Sequence, residues 1–344
     1  MSLVWAGFLL GCGFGVAARL GRFCLLRGLR QRLAGDAEAS ALRAFALALA
    51  TAIGTTQWLV GTNEIDLSQT VLLRTEFAAG GLLIGGLLFG LGMSLARSCG
   101  ARALVLLAGG NLRALVVLTG LGLAAQASLT GVLVPLRQWL QVGPVSLEAA
   151  SLPAYLSSQG LAVGPALLLG AGLPVMALLF FALRGGLLRS APGEAAMAVA
   201  VGALVTLGWW ITTHVGLDEF DPVPPTSLSF IGPVAEALLY VQVAVGRVFS
   251  LGPAIVCGTL AGAGVAALAT RNFKLEGFEA PGQLLTYLAG GLLMGFGGVL
   301  AVGCSIGQGL SGLSTLAIAS LPACFGIIIG ACIGIAIRNT FFKE

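Results

Sequence analysis

Nine apolar runs, each about the 20 residues that a helix needs to cross the hydrocarbon core of a bilayer, partition the 344-residue chain. They read near 3–21, 40–60, 77–97, 113–134, 163–183, 194–213, 250–270, 282–302 and 313–337. The pattern predicts an all-α polytopic membrane protein. Weaker apolar stretches around 152–161 and 231–246, and the short pieces after Cys99 and Cys304, read as re-entrant half-helices rather than full crossings. Only 9% of the residues are charged, against about 25% in soluble domains, so a water-soluble fold is excluded. The start, MSLVWAGFLL, carries no basic n-region, and the first span is expected to be retained rather than cleaved.

Arginine placement sets the expected orientation. Arg22, Arg27, Arg30, Arg32 and Arg43 crowd the first loop, and Arg97, Arg102 and Arg113 follow the third span. Arg184 and Arg189, Arg271 and Lys274, and Arg338 and Lys343 follow the fifth, seventh and ninth. The alternate loops carry Glu64, Asp66 and Glu76, then Glu148, then Asp218, Glu219 and Asp221. The positive-inside rule therefore puts the amino terminus outside and the carboxyl terminus in the cytoplasm of a bacterial-type plasma (inner) membrane. The net charge of +4 is accounted for by this asymmetry and calls for no nucleic-acid partner.

A segment recurs within the chain. GGLLFGLGMSLARSC, ending at Cys99, aligns without gaps with GGLLMGFGGVLAVGC, ending at Cys304. GVAARLGRFCLLRGL, from Gly15, aligns with GVAALATRNFKLEGF, from Gly264, so that Cys24 stands opposite Phe273. We therefore expect one transport domain built by duplication: a first half over 1–135 with Cys24 and Cys99, connecting spans over 136–249, and a second half over 250–344 with Cys304. In transporters of this build, the site lies where the hydrophobic helices are interrupted.

The glycines fit that picture. Gly7, Gly11 and Gly15, Gly86 and Gly90, Gly291 and Gly295, and Gly326, Gly330 and Gly334 fall four apart, which leaves smooth faces for close helix contact. Gly100, Gly109, Gly110, Gly303, Gly307, Gly309 and Gly312 instead cluster at the helix breaks, where backbone can turn inward to line a cavity.

Of the seven cysteines, Cys12, Cys257, Cys324 and Cys332 lie inside apolar spans and read as small packing residues. Cys24, Cys99 and Cys304 stand at helix ends, in RFC, RSCGAR and GCSIGQG. No CxxC or Cys/His pairing occurs and the sole histidine is His214, so the sequence supports no metal site and calls for no cofactor. A thiol at a helix break offers a weak donor and a soft, polarizable sulfur surface, which suits a sulfur-containing anion better than sulfate. Burial favours the neutral thiol, whereas Arg22 or Arg102 would favour a nucleophilic thiolate. Both readings stay open at this point.

Asn111, ahead of the fourth span, and Ser305 and Gln308, after Cys304, mark helix starts whose free N–H groups attract anions. For Asn111 and Ser305 the competing reading is ordinary helix capping. Arg113 reads as an interfacial anchor. Trp209, Trp210 and His214 are expected at the outer interface, with His214 the natural group for proton coupling. Glu236 and Arg247 are expected to pair, and Gln126 to hydrogen-bond across helices. DPVPPTS, from Asp221 to Ser227, is a stiff loop without chemistry.

Together these motifs resemble the YeeE/YedE family of sulfur-compound transporters over nearly the whole chain. The likeness rests on Arg22-Phe23-Cys24, on Gly90 to Cys99 followed by Gly109-Gly110-Asn111-Leu112, and on Gly295 to Leu313. Ser98 departs from the pattern, which has glycine before the cysteine, and Arg97 precedes it. The resemblance implies thiosulfate uptake through a narrow centre, re-entrant segments meeting mid-membrane, and contact of the ion with Cys24, Cys99 and Cys304 in succession. It also implies a cytoplasmic TusA-like sulfurtransferase as partner, and selenium compounds as substrates of some members.

On this reading the chain is a transporter and not an enzyme, with Arg22, Asn111, Ser305 and Gln308 as candidate anion-attracting groups around the three thiols. The alternatives are a membrane-embedded thiol sulfurtransferase or oxidoreductase that uses the same cysteines covalently, and a passive anion channel. No nucleotide-binding P-loop motif is visible in the sequence.

Overall fold

The computed structural model describes residues 2–36, 38–141, 143–215, 224–278 and 281–341. Asp218, Glu219, Asp221 and Lys343 lie outside these residues. The chain opens with α1 (Leu3–Leu20), the short α2 (Leu25–Leu33) and α3 (Ser40–Gly61), followed by α4 (Ala79–Leu95), the short α5 (Gly100–Ala108) and α6 (Leu112–Thr130). Short helices α7 (Val134–Leu140), α8 (Leu152–Ser158) and α9 (Val163–Leu167) come next, and α9 runs through a π-helical turn at Leu168–Gly172 into α10 (Leu173–Arg184). Then come α11 (Leu187–Ser190), α12 (Pro192–His214), α13 (Ile231–Gln242), α14 (Leu251–Ala269) and α15 (Pro281–Leu300). A second π-helical turn at Gly307–Gly312 precedes α16 (Ser320–Phe341). The strands β1 (Glu76–Phe77) and β2 (Val145–Ser146) pair antiparallel, with Glu76 opposite Ser146.

Nine helical stretches of the described residues are long and apolar enough to cross a membrane, and the protein is an all-α polytopic membrane protein. Eight begin within a few residues of their predicted positions. The last starts at Ser320 rather than near 313, because the preceding backbone is spent elsewhere. Residues 307–312 wind as a π-helix, and Leu152 and Ile318 exchange bonds with Leu316 and Ala150 across a short bridge that joins this turn to the start of α8.

Lipid-soluble helices gain little from hydrophobic contact with one another, so close backbone approach has to hold them together. The glycine rows provide it. On α1, a methyl group at Gly11 or Gly15 would overlap the carbonyl oxygen of Ile255 or Thr259 on α14, and Gly258 and Gly262 answer with the carbonyls of Phe8 and Cys12. Gly86 and Gly90 of α4 interlock in the same way with Gly326 and Gly330 of α16. Gly85 and Gly92 face α15 at Gly297 and Gly290, while Gly291 and Gly295 turn the other side of α15 toward the carbonyls of Val117 and Leu121 on α6.

Two polar expectations are corrected by this packing. Trp209 is completely buried rather than interfacial, and its indole N–H donates to the Ser314 hydroxyl at 3.1 Å. Trp210 is exposed and stacks on His214 with ring centroids 4.7 Å apart. Gln126 makes no bond across helices that the structure records. It donates to the Thr130 hydroxyl one turn along its own helix at 2.7 Å. Hydroxyls tie α3 to α12 instead, where Thr55 and Thr56 meet Thr206 at 2.6 and 3.0 Å.

Candidate functional site

Each of the three break-site cysteines occupies the same local construction. Two residues before each sulfur the backbone turns left-handed, at Arg22 (φ 47°), Arg97 (φ 56°) and Val302 (φ 57°). Such a turn ends a helix by returning late N–H groups to its last carbonyls. At α1, Phe23 N–H donates to Ala18 and Arg22 N–H to Arg19; at α15, Gly303 donates to Gly298 and Val302 to Val299. The Arg271 turn after α14 (φ 53°) closes identically, with Phe273 two residues on. A β-branched residue such as Val302 in this region is a genuine outlier, with a cost of about 1–3 kcal/mol, and neighbouring groups must hold it there.

The turn aims the chain so that each cysteine starts the next helical segment. Cys24 is the N-cap of α2 and Cys99 the N-cap of α5, both in extended conformation. Cys304 precedes the π-helical turn, and its sulfur accepts the Gly307 N–H at 3.3 Å. The N–H groups of Leu26 and Arg27 lie near the Cys24 sulfur, and that of Arg102 near Cys99, without closing a capping bond. Each thiol therefore stands at the positive end of a helical segment.

All three are buried in the main hydrophobic core. The thiols of Cys24 and Cys99 are immediate neighbours that interact directly as free thiols, and Cys304 lies within electrostatic range of Cys99. Cys99 is thus the middle member. Cys12, Cys257 and Cys332 sit elsewhere on the spans, and Cys324 lines an apolar cavity with Phe45, Ser305 and Gly309.

The remaining candidates divide. Gln308 is buried beside the thiol cluster, where its Nε2 donates to the Ala301 and Val302 carbonyls at 2.7 and 3.1 Å. This fixes the amide orientation and leaves Oε1 without a partner among the described residues. Ser305 is buried on the same turn. Asn111, by contrast, works as a helix cap: its side chain accepts from Arg113 N–H at 3.1 Å and donates to Glu276 at 2.6 Å. Arg22 is exposed, and its contribution to the region is a backbone carbonyl that accepts from Arg27. The cation beside Cys24 and Cys99 is Arg102, on the first turn of α5. Sequence places Arg22 and Arg102 both within three residues of a cysteine; the left-handed turn at Arg22, where the side chain is exposed, separates them.

On one side of Cys304 lies a cavity of about 360 Å³, lined by residues 70–72, 224–229, Glu236, Val302, Gly307 and Ser311. Its walls come from the loops before α4 and α13, the acidic set of loops. Glu236 makes no contact ion pair with Arg247, which faces it across a cavity within electrostatic range; its carboxylate accepts from the Ser250 hydroxyl at 3.2 Å, at the start of α14. No group of three metal-ligating side chains occurs among the described residues.

The chain is therefore a multi-pass helical membrane protein with a thiol cluster buried where its helices break. A family model described as "Sulphur transport" matches residues 20–333, and the chain belongs to that family. It is 29% identical over 354 aligned positions to the thiosulfate transporter TsuA of Spirochaeta thermophila, an alignment that covers 95% of this chain and 97% of that one. It is 33% identical over 113 positions to the Escherichia coli thiosulfate transporter TsuA, covering 33% of this chain and 30% of the relative.

Proposed function

We propose that the protein carries thiosulfate, or a closely related sulfur-containing anion, inward across a bacterial-type plasma membrane, with Cys304, Cys99 and Cys24 as successive hydrogen-bonding contacts. The observation that carries this reading is the position of Cys99, which adjoins Cys24 and lies within electrostatic range of Cys304. A neutral S–H can donate to a passing anion, and its polarizable sulfur suits the terminal sulfur of thiosulfate. Helix starts behind the thiols supply a positive field, to which the Arg102 guanidinium adds beside Cys24 and Cys99. The charge asymmetry of the loops orients the path, with the 360 Å³ cavity outside and the arginine-rich loops within. We read the helix ends at α1 and α14, and at α4 and α15, as the matching parts of two related halves.

Energetics shape the rest of the reading. Each elementary charge moved against 100 mV costs about 2.3 kcal/mol, so a dianion entering a negative interior faces roughly twice that. A co-transported cation, or withdrawal of the product by a TusA-like cytoplasmic sulfurtransferase, offsets the climb.

The test is uptake of radiolabelled thiosulfate by cells expressing the chain, compared with Cys99→Ala and Cys304→Ala at equal membrane abundance. Loss in both supports the relay, and unchanged uptake in both removes it. Serine variants then separate passage from covalent chemistry. Hydroxyls preserve a hydrogen-bonding path in part, whereas a sulfurtransferase cycle loses all activity and shows a persulfide by mass spectrometry in the unaltered protein.

A further inference from the structure

We propose that Arg102 is a specificity-determining residue that binds the oxygen-bearing end of the anion while the thiols of Cys24 and Cys99 face its terminal sulfur. The proposal deepens the transport reading above and rests on it.

Arg102 is the arginine side chain beside the inner pair of thiols, and the two arginines near it, Arg19 and Arg27, are already engaged. Arg27 forms an ion pair with Glu194 and donates to the Arg22 carbonyl, while Arg19 donates to the Asn272 carbonyl at 2.8 Å. Arg102 has no acidic partner among the described residues; its single recorded bond is a long 3.4 Å contact from Nη1 to the Ala18 carbonyl. A guanidinium presents five N–H donors in a planar fork. Most of that fork is therefore unused, on a side chain that is partly buried and that Arg19 and Arg27 also repel. Taking a cation out of water without an anion to complete it is unfavourable, and the unused donors match a doubly accepting oxyanion.

The geometry also orders the ends of the ligand. Arg102 stands three residues beyond Cys99 on the same short helix and within electrostatic reach of both Cys24 and Cys99. An anion with a soft sulfur at one end and three oxygens at the other satisfies the thiols and the fork at once. Sulfate offers the oxygens alone, and hydrosulfide the sulfur alone.

The experiment uses the full-length protein in proteoliposomes, with labelled thiosulfate as the transported probe and inorganic sulfate as competitor, for the unaltered chain, Arg102→Gln, Arg102→Lys and Cys99→Ala. Arg102→Gln is expected to raise KM for thiosulfate about tenfold or more, as for loss of one charge-assisted contact, with a smaller change in maximal rate. Arg102→Lys, which keeps the charge but not the fork, is expected to fall between. Whatever inhibition sulfate exerts on the unaltered protein should weaken in Arg102→Gln, a change that a purely structural arginine would not produce. Unchanged KM and unchanged sulfate inhibition in both arginine variants, with Cys99→Ala inactive, would overturn the assignment and leave the transport reading standing. If Arg102→Gln fails to fold, Arg102→Lys decides by the same two readouts. Absence of uptake by the unaltered chain would remove the transport reading, and this assignment with it.

Discussion

Gln308 holds Val302 in its left-handed turn: the Gln308 side-chain N–H groups reach back to the Val302 carbonyl at 3.1 Å and the Ala301 carbonyl at 2.7 Å, either side of the strained position. Cys304 lies two residues beyond that turn, so the amide fixes where its sulfur points. Glutamate at this position is isosteric but cannot donate when ionised, and it sets a carboxylate against two carbonyl oxygens. Each buried group left unsatisfied costs about 1–3 kcal/mol. Gln308→Glu is therefore expected to lower the thermal midpoint of the detergent-solubilised protein and to cut thiosulfate uptake to about a tenth or less, by the same free-energy scale. Gln308→Met, which loses the bonds without adding charge, should be milder in both assays.

Close packing of α4 against α16 gives a second expectation. A methyl group at Gly90 or Gly330 overlaps backbone on the facing helix, at the Ile327 and Leu87 carbonyls, and neither helix can yield without moving the other. Overpacking of this kind costs about 1–3 kcal/mol. Gly54, on α3, has open space where its side chain would be. Alanine at Gly90 and at Gly330 should each lower the thermal midpoint by several degrees, whereas Gly54→Ala should leave it unchanged or raise it slightly, since alanine is the better helix former. Equal effects at all three positions would show that glycine serves some other end here.

These two expectations rest on features of unequal visibility in the sequence. Span count and position are legible because about 20 apolar residues in a row have one economical use in a bilayer. The glycine rows are legible too, as four-residue spacing on apolar helices. The cysteines stand out because RFC, RSCG and GCS sit where hydrophobicity lapses, and the structure buries all three, with Cys99 beside Cys24 and within electrostatic range of Cys304. What the sequence cannot separate is Arg22 from Arg102, since both lie within three residues of a cysteine and the difference is the left-handed turn at Arg22, where the side chain is exposed. Trp209 is hard to place for a related reason. Two adjacent tryptophans near a span end look interfacial together, yet neighbours on a helix face about 100° apart, so Trp209 meets Ser314 inside while Trp210 is exposed and stacks on His214.

Asn111 supplies a test of capping against ligation. Its side chain caps α6 and also donates to Glu276, while Leu112 N–H bonds the Glu276 carbonyl, so the segment after α14 is latched to the start of α6. Loss of an N-cap costs about 0.5–2 kcal/mol. Asn111→Ala should lower the thermal midpoint, and Asn111→Asp should keep the cap but place two carboxylates together. If the residue serves only the latch, KM for thiosulfate stays within about twofold in Asn111→Ala, less than the 1.4 kcal/mol of a tenfold change. A tenfold rise would instead make it part of the anion path.

Among the described residues, one acidic side chain lines the cavity beside Cys304, on the proposed route of an anion. Glu236 lines both the 360 Å³ cavity beside Gly307 and a neighbouring one toward Tyr240 and Arg247, and its carboxylate is held at the start of α14 by the Ser250 hydroxyl. A dianion in that cavity feels this charge. At a separation on the order of 10 Å in a water-filled space, a single and a double negative charge repel by about 0.8 kcal/mol before salt screening. Glutamine keeps an acceptor for Ser250 and removes the charge. Glu236→Gln is therefore expected to lower KM for thiosulfate by about two- to fourfold at low ionic strength and by less as salt is added, because screening erases the repulsion being relieved. Transport of an uncharged or singly charged competitor should shift less. An unchanged KM at low salt would place the route of the anion away from this cavity, and a raised one would mean that the carboxylate helps to hold the cavity in shape.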